Sequence, residues 1–124
     1  MKRVIYYDTS YDDIFGMANI TSKKSGLPVS LWSDHNGKNR NVSYNVPRMK
    51  ITIGSAEVSV SVSENPEILA KTPNISHSDM RKIQKGMEYI GRNYDIFLKH
   101  YYDTTDDFDD EDMFNALRER GEYK

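Results

Sequence analysis

Apolar and polar residues alternate one for one in two neighbouring stretches of this chain. From Arg48 to Ile53, Met49, Ile51 and Ile53 fall on one side and Lys50 and Thr52 on the other; from Glu57 to Ser63, Val58, Val60 and Val62 oppose Ser59 and Ser61. A period of two belongs to a strand, whose successive side chains leave opposite faces. Gly54-Ser55-Ala56 is a short connection whose glycine can take positive φ, so the two stretches predict an antiparallel hairpin with one apolar face and one wet face. Val4-Ile5-Tyr6-Tyr7 predicts another strand, as does Val29-Ser30-Leu31-Trp32 after the turn-prone Gly26-Leu27-Pro28. The polar run from Ser33 to Asn41 has no period and reads as a loop.

Further on the period changes. Met80, Ile83, Met87, Ile90, Tyr94, Phe97 and Tyr101 recur at threes and fours, which predicts one long helix from Asp79 to about Tyr102 that buries this stripe against the sheet. Its start is written out: Ser76 as N-cap, Asp79 three residues on, and Ile75 with Met80 as a hydrophobic staple. Gly86 and Gly91 each cost the helix roughly 1 kcal/mol relative to alanine, a cost that close approach to the sheet would offset. The same grammar returns with Phe108, Asp109 as N-cap, Asp112 and Met113, then Phe114, Ala116 and Leu117, with Gly121 as the stop. The expected fold is α+β: a small antiparallel sheet of three to four strands packed by one long C-terminal helix, plus a short terminal helix. Residues 1–102 form the expected domain and 103–124 an acidic segment carrying the short helix. A chain of 124 residues suits one such domain.

Charge divides the chain at Tyr102. Residues 1–102 hold 14 Lys/Arg against 10 Asp/Glu, and residues 103–124 hold 3 against 9. The acidic run Asp103, Asp106, Asp107, Asp109, Asp110, Glu111 and Asp112 suits a helix N-terminus, where unpaired N–H groups favour carboxylates, and it is also the first candidate surface for a basic partner. It lacks the central glycine and spaced ligands of a helix-loop-helix calcium site. Whether the run is free or docked on the oppositely charged body is left open. A second candidate is the basic and aromatic set Trp32, Lys38, Arg40, Tyr44, Arg48 and Lys50, suited to phosphate or to a carboxylate-rich partner. Basic residues on the long helix read as a solvated face, with Glu88–Arg92 and Asp95–Lys99 as i,i+4 pairs.

His35, His77 and His100 have no metal-ligand spacing and read as surface residues. The chain has no cysteine, which excludes disulfides and thiolate chemistry. The N-terminus lacks the apolar run of a signal peptide, nothing approaches a membrane span, and the expectation is a cytoplasmic protein without cofactor or metal. Phe108, Phe114 and Leu117 are apolar enough to seal either the core or a homodimer.

From about Leu27 to Tyr102 the chain resembles the domain of unknown function 4160. Asp34-His35-Asn36 after a strand, the hairpin from Arg48 to Val62, and Asn93 through Leu98 occupy the places of that family's motifs. Val42-Ser43-Tyr44-Asn45-Val46 stands where its second histidine cluster would be. The resemblance implies a compact α+β protein of phage, plasmid or toxin–antitoxin neighbourhoods that acts by binding. The functional expectation is accordingly a small non-enzymatic protein that engages a protein partner of basic surface. An anti-CRISPR-like inhibitor or nucleic-acid mimic using the acidic run is the alternative, and direct nucleic-acid binding ranks below a protein partner. A small metal-dependent hydrolase or nuclease built on Asp34 and His35 comes third.

Overall fold

The two alternating stretches pair as the sequence predicts, and they lie inside a larger sheet. The computed structural model describes residues 17–37 and 46–124; the strand expected at Val4 to Tyr7 and the candidates Lys38, Arg40 and Tyr44 lie outside the described residues. The elements are β1 (Ala18–Ile20), α1 (Ser22–Ser25), β2 (Ser30–Ser33), β3 (Arg48–Ile53), β4 (Ala56–Ser61), β5 (Ile68–Lys71), α2 (His77–Arg92), α3 (Tyr94–Tyr102) and α4 (Asp110–Glu119). The fold is α+β, a five-stranded sheet in the order β1-β2-β3-β4-β5 with every neighbour antiparallel, followed by three helices.

Register puts Ile20, Leu31, Ile51 and Val58 side by side across four strands, and each has no exposed surface. This row is the floor of the core. Ile83, Met87 and Ile90 of α2, Ile96 and Phe97 of α3, and Met113 and Leu117 of α4 complete one cluster with it. The terminal helix therefore shares the core of the rest of the chain. β3 and β4 meet through the two-residue turn Gly54-Ser55, with Gly54 at φ +56°.

The opposite face of the sheet is not the wet face the alternation predicts. Lys50 has no exposed surface and Arg48 and Ser59 are almost fully buried. An ammonium there needs a partner, and Lys50 Nζ donates to Glu57 Oε2 at 3.0 Å from the adjacent strand.

The expected long helix is two helices. Asn93, with φ −118°, separates α2 from α3, and its side-chain Nδ2 donates to the Tyr89 carbonyl at 3.0 Å. An asparagine amide competing for the helix's own carbonyls is a known cause of such a break. The apolar stripe nonetheless continues through it, because Ile83, Met87, Ile90, Phe97 and Tyr101 are all buried. The N-cap on Ser76 forms as expected, with Asp79 N–H donating to Ser76 Oγ at 3.0 Å. The offsetting contact at Gly86 also exists: a Cβ there would stand 2.9 Å from Val29 Cγ2 and 3.3 Å from Ile51 Cδ1.

Candidate functional site

Register leaves Ser33 on the helix-facing side of the sheet, beside Ala18 and two residues beyond Leu31, at the end of β2. The last turn of α3 crosses there, so His100 lies over Ser33 with no exposed surface and its Nδ1 is 2.8 Å from Ser33 Oγ. His100 Nε2 reaches Asp110 Oδ1 in the first turn of α4 at 2.7 Å. The turn after β2 supplies His35, whose ring centroid is 5.1 Å from that of His100 and whose Nε2 is 2.7 Å from Asp103 Oδ2 and 3.9 Å from Asp106 Oδ1. Asn36 N–H donates to the His100 carbonyl at 3.2 Å, tying the same turn to the end of α3. Two of the three histidines read as surface are thus structural members of one cluster, and only His77 is exposed.

The reason is long-range geometry. His35 and His100 meet partners 67 or 68 residues away or across a turn, so no local spacing announces them. The cluster sits where β2, α3 and α4 all terminate or begin, and such ends carry unpaired backbone groups that polar side chains satisfy.

The acidic run divides by duty. Asp109 and Asp112 form a complete capping box, with Asp112 N–H donating to Asp109 Oδ1 at 3.0 Å and Asp109 N–H to Asp112 Oδ2 at 3.2 Å. The Asp112 N–H bond holds the Asp109 carboxyl below its ordinary range. Asp103 accepts from His35 and from the Asp107 N–H at 3.2 Å, and the His35 bond holds its carboxyl down at about 2. Asp110 accepts from His100. Asp106, Asp107 and Glu111 are left facing solvent, with Glu111 only 3.7 Å from Arg118 as a loose ion pair. His35, Asp106, Asp109, Asp110 and Glu111 line an open cleft of about 450 Å³.

The basic candidates fare differently. Arg48 and Lys50 are strand residues buried in β3 rather than loop residues on display, and the half-buried Trp32 donates from Nε1 to Thr52 Oγ1 at 3.0 Å. The i,i+4 pairs expected along the helices give way to tertiary ones. Arg92 takes Glu122 at 3.0 and 3.2 Å, and Arg120 takes Asp95 at 2.9 and 2.5 Å. Each pair lowers the carboxyl and raises the guanidinium, chiefly through these hydrogen bonds. Both stitch the C-terminal segment to α2 and α3.

Ser33, His100 and Asp110 make a hydrogen-bonded series of the residue types found in acyl-transfer triads. The burial runs the wrong way for a nucleophile: Ser33 is 1% exposed and His100 0%, whereas the Asp110 side chain is 56% exposed. An attacking hydroxyl must meet substrate, and here only the carboxylate end does. His35, Asp103 and Asp106 each place one ligand atom within 4.8 Å of the others. At 2.7 Å, however, His35 Nε2 and Asp103 Oδ2 already satisfy each other as donor and acceptor. Co-ligands held 2.0–2.2 Å from a tetrahedral ion stand roughly 3.3 Å apart. We read the group as a hydrogen bond from an imidazole to a carboxylate that anchors the turn.

No helix of the described residues is long and apolar enough to cross a membrane. In comparisons with known proteins, no family model, no curated protein and no solved structure matches the chain.

Proposed function

We propose that this is a small non-enzymatic binding protein that engages a basic protein surface through the carboxylates of the turn after α3 and the first turn of α4. One observation carries the reading. Beyond the capping box and the short bonds to His35 and His100, Asp106 and Glu111 stay exposed on the walls of an open cleft with the outer side of Asp110 beside them, and Asp107, whose carboxylate accepts from Thr105 Oγ1, is exposed next to Asp106 in the chain. Such a patch steers a cationic partner at long range and is weakened by salt. The resemblance to the domain of unknown function 4160 supports a phage or plasmid setting. There, an inhibitor or nucleic-acid mimic is the form this reading takes if the basic surface is a nucleic-acid channel.

The test follows from which acids hold the least of the fold, their contacts being long or local. Cutting the chain at Tyr102 would remove Met113 and Leu117 from the core, so neutralisation is the cleaner change. The variant Asp106→Asn/Asp107→Asn/Glu111→Gln should fold as the parent does. At low salt the parent should retain a basic protein from lysate, release it at high salt, and bind it at least tenfold more tightly than the variant. Equal binding by both forms would move the site elsewhere.

A further inference from the structure

His100 belongs to α3, yet each end of its ring is fastened to a different element: Nδ1 to Ser33 of β2 and Nε2 to Asp110 of α4. A carboxylate only accepts, so Nε2 carries a proton and the neutral ring's Nδ1 accepts from the Ser33 hydroxyl. Both nitrogens and the hydroxyl are then satisfied. A second proton would make Nδ1 a donor, force the Ser33 hydroxyl to turn away, and leave a cation in a site without solvent contact, beside the His35 ring. We propose that His100 is a pH-sensitive latch that fastens the acidic turn and α4 to the sheet while neutral and loosens them when protonated.

The charged groups around it pull in both directions. Asp34, from the segment after β2, and Asp110, from α4, favour the cation; His35, when charged, opposes it. Asp103 and Asp106, from the turn after α3, act through His35. Burial outweighs the carboxylates, because the ring is wholly removed from water while the half-exposed Asp110 is screened by it. The His100 imidazolium is therefore more acidic than an ordinary one, with burial as the first cause. The sign follows. The unfolded or opened chain binds the proton at higher pH than the closed one, so the latch is complete above the ordinary histidine value of 6.5 and is lost as pH falls below it. One proton changes the closed-to-open ratio by at most about tenfold per pH unit, and the interval from about pH 6.5 to 5 lies above the carboxylate range.

The latch concerns the protein alone and needs no partner. Ring nitrogen NMR and backbone hydrogen exchange of the full chain, from pH 8 to 5, would test it. The expected result is a neutral Nε2–H tautomer for His100 that persists below pH 6.5. After correction for intrinsic exchange, opening of α4 should rise by up to tenfold per pH unit while β3 and β4 stay protected. His100→Asn should flatten that slope and His35→Asn should keep it. Titration of His100 at or above the ordinary value, pH-independent opening of α4, or a slope that survives His100→Asn would each overturn the proposal. If His100→Asn fails to fold, the ring titration of the parent decides.

Discussion

At Gly91 the absent side chain does the work. A Cβ built there would stand 2.6 Å from the Glu64 carbonyl oxygen and 3.2 Å from Pro66 Cδ, and a carbonyl on the chain between β4 and β5 cannot swing aside as a side chain does. Alanine would gain about 1 kcal/mol of helix propensity and lose roughly 1–3 to overpacking. Gly91→Ala should therefore destabilise the protein in urea unfolding. Gly86→Ala, whose nearest neighbour is a Val29 methyl group, should cost less. Ser33 gives the complementary case. Ser33→Ala changes little volume but strips the buried His100 Nδ1 of its donor, and an unsatisfied buried acceptor costs about 1–3 kcal/mol, readable from the same unfolding curves. Neither residue advertises itself locally. Gly91 reads as a helix weakness offset by close approach to the sheet, whereas its approach is to the connection between β4 and β5, and Ser33 reads as the first residue of a polar loop, because the atoms that define their roles lie far along the chain.

Among elements, α4 was the most legible and the most consequential. Phe108, Asp109, Asp112 and Met113 spell an N-terminus that the structure builds as a capping box, and Gly121, at φ +75°, completes a C-terminal stop. There Gly121 N–H donates to the Arg118 carbonyl and Glu122 N–H to that of Leu117, both at 2.9 Å. Local rules suffice where the hydrogen bonds are local. They fail at β1, whose three residues are too short to show a period, and at β5, where a bulge opposite Ser59 and Val60 disturbs the alternation. They fail again at Asn93, a residue the stripe passes over without a gap, and at the histidine cluster, which joins ends of elements distant in sequence. Because Leu117 is fully buried beneath that helix, Leu117→Ala should cost about 2–5 kcal/mol in urea unfolding. The turn leading into α4 has its own pH signature. The Asp103 carboxyl is depressed to about 2 by His35, so its contribution is complete above the ordinary carboxylate value of 3.8 and disappears as pH falls toward 2. Asp103→Asn should remove that portion of the acid-unfolding slope.

For the molecule as a whole, the division between a basic body and an acidic end suggests an electrostatic attachment, and the structure distributes the attachment differently. Arg92–Glu122 and Arg120–Asp95 lie at the rim, partly exposed, where such pairs contribute about 0–1 kcal/mol each and weaken with salt. Beneath them Met113 and Leu117 have no exposed surface, Tyr123 is nearly as buried, and Phe114 stacks on Tyr123 with ring centroids 4.9 Å apart. Burying a side chain such as leucine or methionine is worth about 1.5–3 kcal/mol, so the apolar contacts exceed the ion pairs by severalfold. Salt screens the first kind of contact and leaves the second intact or slightly stronger. Limited proteolysis with trypsin, which has Arg118 and Arg120 available in and just after α4, should therefore proceed at nearly the same rate at low salt and at 1 M sodium chloride once the enzyme's own salt response is corrected. A segment held by charge would instead be cut many times faster in high salt. Because the ion pairs are dispensable for docking while the buried residues are not, Asp95→Asn, which breaks the Arg120 pair and keeps both cleavage sites, should leave the cleavage rate close to that of the parent, and Leu117→Ala should raise it at both salt concentrations.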